Sequence, residues 1–222
     1  MEDRVILVDK PAGISSFGVV AKVRAHLRDE FGHKVKVGHT GTLDPFATGL
    51  LILLSGKMTK KSNEFLKKDK TYEAALKLGY TSTTGDPEGE IERSTTVQPE
   101  LNTIQSCLQS FLGEIEQTPP RFSAIKINGE RAYKLARKGK DFEIPSRKVE
   151  IYSIEILDYN YPELKIRTHV SSGTYIRTLA EDIGKALGTG AYLTALRRTK
   201  IGNYKIEDAQ TLTDFTNEKY TA

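Results

Sequence analysis

Gly-His-Thr-Gly-Thr-Leu-Asp-Pro-Phe-Ala-Thr-Gly, from Gly38 to Gly49, is the stretch around which this chain is organised. Its glycines and its Asp-Pro step exclude a regular helix or a central strand. Residues 34–37 before it alternate as in a short strand, and Leu50–Leu54 after it form a continuous apolar run of buried-strand length. A polar loop held between two strands is a common place for functional side chains.

Asp44 is the only carboxylate in this loop. Pro45 disfavours the helical region for the residue before it, so Asp44 is expected to have an extended backbone that sets the direction of its side chain. Asp, Pro and Gly are also the common residues of ordinary turns. The loop alone therefore leaves two interpretations open, a plain turn and a catalytic carboxylate.

Composition describes a globular protein with enough residues for a substantial core: 222 residues, 38% hydrophobic and 28% charged, with a formal net charge of +4. We expect one domain over residues 1–222. No apolar run is long enough to cross a bilayer and no signal peptide precedes the first strand, so we expect a cytoplasmic protein without a membrane partner.

The sequence contains little evidence for a metal site or a disulfide. One cysteine, Cys107, excludes an internal disulfide, and its place on an apolar helix face predicts a core residue. The four histidines are scattered, without the spacing of a zinc site. They are His26, His33, His39 and His169. We therefore expect no metal and no cofactor.

The remaining pattern predicts an α+β protein with a large mixed or antiparallel sheet, flanked by helices. Strands are expected at 4–9, 71–78, 149–156, 164–170 and 191–200, and helices after Ser15 or Ser16, around 104–112 and at 171–187.

For three polar residues of this framework, the sequence leaves open whether the side chain has a functional role or an ordinary structural one. Lys10 ends the first strand beside a turn, where a cation either meets a phosphate or is simply exposed. Tyr72 lies early in a strand, and Asp86 lies in the turn at 84–89. A sheet tyrosine and a turn carboxylate are ordinary features, so neither predicts a site by itself.

Residues from about 119 to 148 form a basic excursion from the sheet. Lysines and arginines alternate there with aromatic residues, a pattern typical of a surface that binds a polyanion, although a solvated basic face is equally compatible. The excursion is expected to contain a strand at 123–127, an Asn128-Gly129 turn and a helix at 130–138. It has few apolar residues to bury, so we expect it to be mobile until a partner orders it.

Arg177 lies in the first turn of the helix expected at 171–187, for which Ser172 or Thr174 is the expected cap. The positive end of a helix dipole is an unfavourable place for a cation. A carboxylate or phosphate partner would explain it; an exposed arginine is the simpler alternative.

Six motifs, in order along the chain, resemble the TruB family of tRNA pseudouridine synthases. They are Lys-Pro-Ala-Gly-Ile-Ser-Ser (10–16), the loop at 38–49, Lys-Thr-Tyr (70–72), Thr-Pro-Pro-Arg-Phe-Ser-Ala-Ile-Lys (118–126), Gly-Thr-Tyr-Ile-Arg (173–177) and Leu-Arg-Arg (196–198). The resemblance covers about Val5 to Gly202.

The resemblance implies a pseudouridine synthase fold that isomerises uridine 55 in the T-loop of tRNA, without a cofactor, after flipping the base out of its stack. It implies that Asp44 is the catalytic aspartate, with Tyr72 and Arg177 as its partners. The excursion at 119–148 would be a thumb-like loop that closes on the T-arm. We expect a monomer.

Further residues receive roles only through this resemblance. His39 would lie against the RNA, Leu196 would support the pocket and Asp86 would organise polar contacts near the site. Additional substrate contacts are expected at Lys10, Tyr175, Arg121, Lys126 and Arg131.

The chemistry is compatible with these roles. Cleavage of an N-glycosidic bond develops positive charge on the sugar, which a carboxylate can attack or stabilise. Alternatively, Asp44 removes the ribose C2′ proton with help from Tyr72, and the sequence leaves both routes open. An arginine near Asp44 would keep that carboxylate ionised.

Only about twenty residues follow Gly202, too few for the additional C-terminal RNA-binding domain that many relatives carry. We therefore expect no such domain. A non-catalytic tRNA-binding or folding module of the same fold is the alternative function, and a guide-RNA-dependent relative is a third hypothesis.

Overall fold

The computed structural model describes residues 2–127 and 129–215, so Asn128 of the expected turn lies outside the described residues. The helices are α1 (Ser16–Phe31), α2 (Ser62–Leu66), α3 (Leu101–Gln109), α4 (Ala132–Arg137) and α5 (Ile176–Ala186). The strands are β1 (Val5–Lys10), β2 (Val37–His39), β3 (Thr48–Ser55), β4 (Lys70–Leu78), β5 (Tyr80–Ser82), β6 (Ile91–Arg93), β7 (Gly113–Gln117), β8 (Lys126–Ile127), β9 (Glu130–Arg131), β10 (Arg147–Asn160), β11 (Glu163–Val170), β12 (Ala191–Ile201), β13 (Tyr204–Lys205) and β14 (Gln210–Thr211).

These elements confirm the α+β class. Within the described ranges, the strands form a ten-stranded mixed sheet and two sheets of two strands each. The chain divides into two compact units, Met1–Tyr72 with Leu196–Ala222 and Glu73–Ala195. The boundaries between the units fall inside β4 and β12.

The first unit is built on β3, the apolar run expected to be a buried strand. Leu50 through Leu54 are all at most 1% exposed. β3 pairs antiparallel with β1 and β2 and parallel with β12. The short strand before the loop was predicted at residues 34–37. In the structure it is β2, which begins only at Val37 and pairs with β3.

Helix α1 covers one face of this sheet. Ser15 caps it as expected, because its Oγ accepts the Gly18 amide at 3.1 Å. The buried face of α1 packs with β1 and β3, and it consists of Val19, Val20, Val23 and Leu27. A second apolar cluster on β3 contains Leu50, Ile52, Leu54, Phe65 and Ile201.

The second unit is built on the long strand β10, which pairs antiparallel with β7 and β11. Ile151, Ile166 and Ile183 are buried in this unit. Helix α3 is shorter than predicted: it ends at Gln109, and Leu112, expected on its apolar face, is exposed. Cys107 is half-buried, and burial raises the pKa of its thiol.

The basic excursion has less regular structure than predicted. Its strand is confined to β8, which pairs with β9, and α4 spans Ala132–Arg137 rather than 130–138. Helix α4 buries Ala132 and Leu135, which are the apolar anchors of an otherwise polar segment.

The expected start of the helix at Ser171 was wrong. Helix α5 begins at Ile176, and its N-cap residue Tyr175 provides no side-chain cap. Residues 171–174 form a turn instead, closed by a hydrogen bond from the Thr174 amide to the Ser171 carbonyl. Gly173 has φ +89° in this turn, a conformation that glycine adopts without steric cost.

Gly49 is a point of close approach between β3 and β12. It has φ +103°, and a Cβ at this position would lie 2.3 Å from the carbonyl oxygen of Arg198. We expect Gly49→Ala to lower the free energy of unfolding by about 2–5 kcal/mol, from backbone strain plus overpacking. Urea unfolding followed by circular dichroism measures the loss.

Gly13→Ala is the matched control, because Gly13 has φ +81° but no atom within 4 Å of the added Cβ. It should lose only the conformational part, about 1–2 kcal/mol. Equal losses in the two variants would contradict the close approach of the strands.

Candidate active site

The loop that carries Asp44 is held in place by side chain to backbone and by backbone to backbone hydrogen bonds. The Ser16 hydroxyl accepts from the Leu43 amide and donates to the Leu43 carbonyl, both at 2.8 Å. The Thr40 amide donates to the Ile52 carbonyl at 3.0 Å, and Ala47 donates to the Asp44 carbonyl at 3.1 Å. Asp44 itself is half-buried. Its backbone is therefore fixed, and the residue as a whole is not fully buried.

Lys10 is wholly buried below this loop. Its Nζ donates to the backbone carbonyls of Ala47 at 2.6 Å, Pro11 at 2.9 Å and Pro45 at 3.2 Å. Both Pro45 and Ala47 belong to the loop. Burial excludes Lys10 from the phosphate contact that the sequence suggested, and the contacts give it a structural role in holding the loop.

Arg198 supports the same loop from β12. It is only 1% exposed, and its guanidinium donates to the Leu50 carbonyl at 2.8 Å and the Gly41 carbonyl at 3.1 Å. Its neighbour Arg197 forms an ion pair with Asp9 at 2.8 Å. The arginines of the Leu-Arg-Arg motif are thus part of the scaffold of the first unit. Sequence reasoning assigned Arg198 no role, because nothing in its local pattern distinguishes a buried arginine from a surface one.

Three other residues predicted for the site lie in this first unit. His39 is half-buried at the end of β2, opposite Leu53 of β3. Tyr72 in β4 and Leu196 in β12 are both buried. The strand of His39, β2, leads into the Asp44 loop, and β4 and β12 belong to the same ten-stranded sheet as β2.

Arg177 and Asp86 form a buried ion pair in the second unit. Arg177 is 4% exposed, and its Nη1 lies 3.1 Å from Asp86 Oδ2. The guanidinium also donates to the Thr84 carbonyl at 3.0 Å and the Phe122 carbonyl at 2.7 Å. The anionic partner predicted from the helix dipole therefore exists, and the simple exposed arginine was the wrong alternative. A pairing of Arg177 with Asp44 stays a prediction.

Asp86 is more than a turn residue. Its Oδ1 accepts from the Thr84 hydroxyl at 2.6 Å and the Glu88 amide at 3.0 Å, while Oδ2 faces Arg177. These donors replace the water that a carboxylate loses on burial, so a charged Asp86 is compatible with its buried position. Asp86 thus fixes the guanidinium of Arg177 from a rigid turn.

Tyr175 is half-buried, and its backbone is held by a residue that sequence reasoning missed. The Gln117 amide accepts from the Tyr175 N–H at 2.7 Å and donates to the Tyr175 carbonyl at 3.0 Å. The signal was present: 113, 115 and 117 share the inward face of β7, so Gln117 is a polar residue at an inward position.

The three cations expected in the excursion are exposed. Arg121 stacks on Phe142 at 4.9 Å and donates to the Lys140 carbonyl at 2.9 Å, and Arg131 donates to the Ala124 carbonyl. These contacts hold the excursion together. Lys126 is the exposed residue of the two-residue strand β8.

Among residues 2–127 and 129–215, no group of three or more His, Cys, Asp or Glu residues could hold a metal ion. In the same ranges, none of the helices has the length and apolar character needed to span a bilayer.

Comparison with known sequences decides the family. The family model described as TruB family pseudouridylate synthase (N terminal domain) matches residues 28–176. This chain belongs to the TruB family. A second model of the family, the tRNA pseudouridylate synthase B C-terminal domain, matches residues 177–222.

Individual relatives agree with the family models. The chain is 48% identical to tRNA pseudouridine synthase B of Phocaeicola vulgatus, over 96% of this chain and 92% of that protein. It is also 48% identical to the protein of the same name from Cupriavidus metallidurans, but there it spans 65% of the relative's length. A solved structure described as a Cbf5-Nop10-Gar1 complex contains a chain that is 33% identical, with a TM-score of 0.73, over 96% of this chain and 53% of that one.

Lys70 of the TruB-like Lys-Thr-Tyr motif is a buried cation with an altered pKa. Its Nζ donates to the carbonyls of Leu66 and Lys68. Burial, with added repulsion from Arg198, lowers its pKa from 10.5 to about 8, although Asp69 opposes the change. The folded protein therefore binds fewer protons than the unfolded chain between about pH 8 and pH 10.5.

We expect this lysine to make stability increase with pH across that window. The free energy of unfolding should gain up to about 3 kcal/mol from Lys70 between pH 7 and pH 10.5, because the cost of burying its charge disappears as it deprotonates. Urea unfolding of the wild type and of Lys70→Met at pH 7, 8, 9 and 10 measures the effect. The difference in stability between the two proteins should move in favour of the wild type as pH rises; a difference independent of pH would contradict the assignment.

Proposed function

We propose that this TruB-family chain isomerises uridine 55 in the T-loop of tRNA to pseudouridine, with Asp44 as the catalytic carboxylate. The observation that carries the proposal is the loop of Asp44, whose backbone is fixed by Ser16, Lys10 and Arg198 while Asp44 itself is half-buried. The names of its close relatives support the substrate class.

A fixed loop matters because catalysis by a carboxylate depends on its position. Misplacement by about 1 Å can cost about 100-fold in rate. Buried cations that bind the loop carbonyls hold the backbone on both sides of Asp44. Such support of a reacting group by surrounding residues is the expected construction of an active site.

The reaction needs no external reagent. The N1–C1′ bond breaks, the base turns, and a C5–C1′ bond forms; C5 releases a proton to solvent and N1 takes one up. Asp44 begins this sequence either by adding to C1′ or by removing the C2′ proton. Deuterium at C2′ distinguishes the two routes. It should slow turnover by a primary isotope effect only if Asp44 removes the C2′ proton and this removal is the slow step.

Tyr72 and Arg177 complete the proposed catalytic group. Tyr72 offers an aromatic ring against the flipped base, since a base must leave its stack before its bonds can be attacked. Arg177 offers a permanent positive charge that keeps a carboxylate ionised. Its own orientation is set by Asp86, which places Asp86 in the group as a supporting residue.

Substrate binding is assigned to the remaining residues. His39 and Tyr175 are proposed to contact the RNA loop, which proteins recognise by stacking and shape, and Leu196 to support the pocket. The exposed Arg121, Lys126 and Arg131 are proposed to contact phosphates of the T-arm, so binding should weaken as salt rises. The proposal includes a monomer that works in the cytoplasm.

Asp44→Asn tests the catalytic carboxylate. We expect it to lower the rate of tritium release from C5-labelled uridine in a tRNA transcript by about 1000-fold or more, because an amide can neither attack C1′ nor take up a proton. The transcript is supplied without guide RNA or partner proteins, and the modified nucleotide is mapped. Asp158→Asn, which removes an exposed carboxylate paired with Lys165, is the control and should keep the wild-type rate. Wild-type turnover by Asp44→Asn would overturn the assignment, and binding without turnover by the wild type would favour the non-catalytic module.

Arg177→Lys tests the geometry of the guanidinium. One ammonium group cannot reproduce the fork that contacts Asp86, Thr84 and Phe122 together, so we expect a loss of about 100-fold in turnover. Arg167→Lys in the same unit is the control, because the exposed Arg167 pairs with Glu73 and Glu155 at the surface. Normal turnover by Arg177→Lys would remove Arg177 from the catalytic group.

A further inference from the structure

Both ends of the basic excursion at 119–148 are attached to the start of helix α5. At the first end, the Phe122 carbonyl accepts from Arg177, and the Thr118 carbonyl accepts from the Thr178 hydroxyl at 3.3 Å. At the other end, the guanidinium of Arg147 donates to the Gly173 carbonyl and stacks on the ring of Tyr175 at 5.0 Å. The turn that carries Arg177 is therefore held by the segments on each side of the excursion.

Gln117 makes the most complete of these attachments. Its side-chain amide pairs with both the N–H and the carbonyl of Tyr175, at 2.7 and 3.0 Å, as a neighbouring strand would. Gln117 is 1% exposed, so water does not replace either contact when it is lost. Tyr175 lies two residues before Arg177.

Helix α5 depends on this contact because it lacks a cap of its own. Tyr175 is its N-cap residue and supplies no side-chain hydrogen bond, and the first turn contains no acidic residue. The unsatisfied amides at a helix start normally receive such partners. Gln117 instead fixes the backbone of the N-cap residue from β7.

We infer that Gln117 is a positioning residue of the reaction: by holding the backbone of Tyr175 it sets the first turn of α5 and, through that turn, the guanidinium of Arg177. The inference rests on the proposed function. It also makes the position of Arg177 sensitive to the base of the excursion, since Gln117 lies two residues before the excursion begins.

Gln117→Met tests this role because methionine has a similar length and no amide. Single-turnover pseudouridine formation is measured with saturating enzyme on a tRNA transcript, and the dissociation constant is measured by filter binding. We expect a rate loss of about 10- to 100-fold with a change in dissociation constant below about 3-fold, because the amide places a catalytic group and does not touch RNA.

Thr168→Val is the matched control for the loss of a buried hydrogen bond. Thr168 is wholly buried in the same unit, and its hydroxyl donates to the Ser153 carbonyl at 2.9 Å, away from α5. Urea unfolding gives the stability of both variants. Thr168→Val should lose stability and keep the wild-type rate, so a rate loss shared by both variants would overturn the inference.

A double-mutant cycle with Arg177→Lys separates positioning from general weakening. If Gln117 acts through Arg177, Gln117→Met should cost at most about 3-fold in the Arg177→Lys background. Equal costs in both backgrounds, or a Gln117→Met rate within about 2-fold of the wild type, would overturn the inference. Gln117→Glu, which keeps the acceptor for the Tyr175 N–H, enters the same cycle if Gln117→Met does not fold.

The wild-type rate distinguishes the two proposals. An active wild type with an unaffected Gln117→Met defeats only the role of Gln117. A wild type that binds the transcript and does not turn over defeats the proposed function and this inference with it.

Discussion

The hydrogen bonds from buried cations to backbone carbonyls are the interaction on which the proposed active site depends. A loop rich in glycine and closed by an Asp-Pro step has few backbone partners of its own, and buried carbonyls without donors are costly. Lys10 and Arg198 supply those donors from β1 and β12. They contact Pro45, Ala47 and Gly41 on either side of Asp44. The charge of each cation is used to bind peptide dipoles of the loop backbone.

The second unit contains a buried cation that also needs partners. Arg177 lies in the first turn of a helix, where the dipole opposes its charge. Asp86 provides the counter-charge, and the Thr84 and Phe122 carbonyls take up further donors of the guanidinium. Removing one partner of such a buried pair is costly because the other charge stays buried without compensation. Asp86 and Arg177 therefore depend on one another, and the base of the excursion contributes to both through Phe122.

Much of the fold was predictable because its signals are local. Leu50–Leu54 had the apolar run of a buried strand, and Ser15 had the side chain and position of a helix cap. The error at the start of α5 has an identifiable cause. The sequence predicts a helix over 171–187 with Ser172 or Thr174 as its cap, but the chain turns at Gly173, and the partner of the helix start, Gln117, comes from β7. A distant partner leaves no mark in a local pattern.

The sequence by itself determined the α+β class, the family and the position of the Asp44 loop, since periodicity, turn chemistry and ordered motifs are properties of neighbouring residues. Only the tertiary structure decided the roles of the long polar side chains. Lys10, expected at a phosphate, is buried beneath a loop, and Asp86, readable as a turn residue, holds an arginine. The same side chain is stable in water or in the interior according to the partners that surround it, and these include Pro45, 35 residues from Lys10, and Arg177, 91 residues from Asp86.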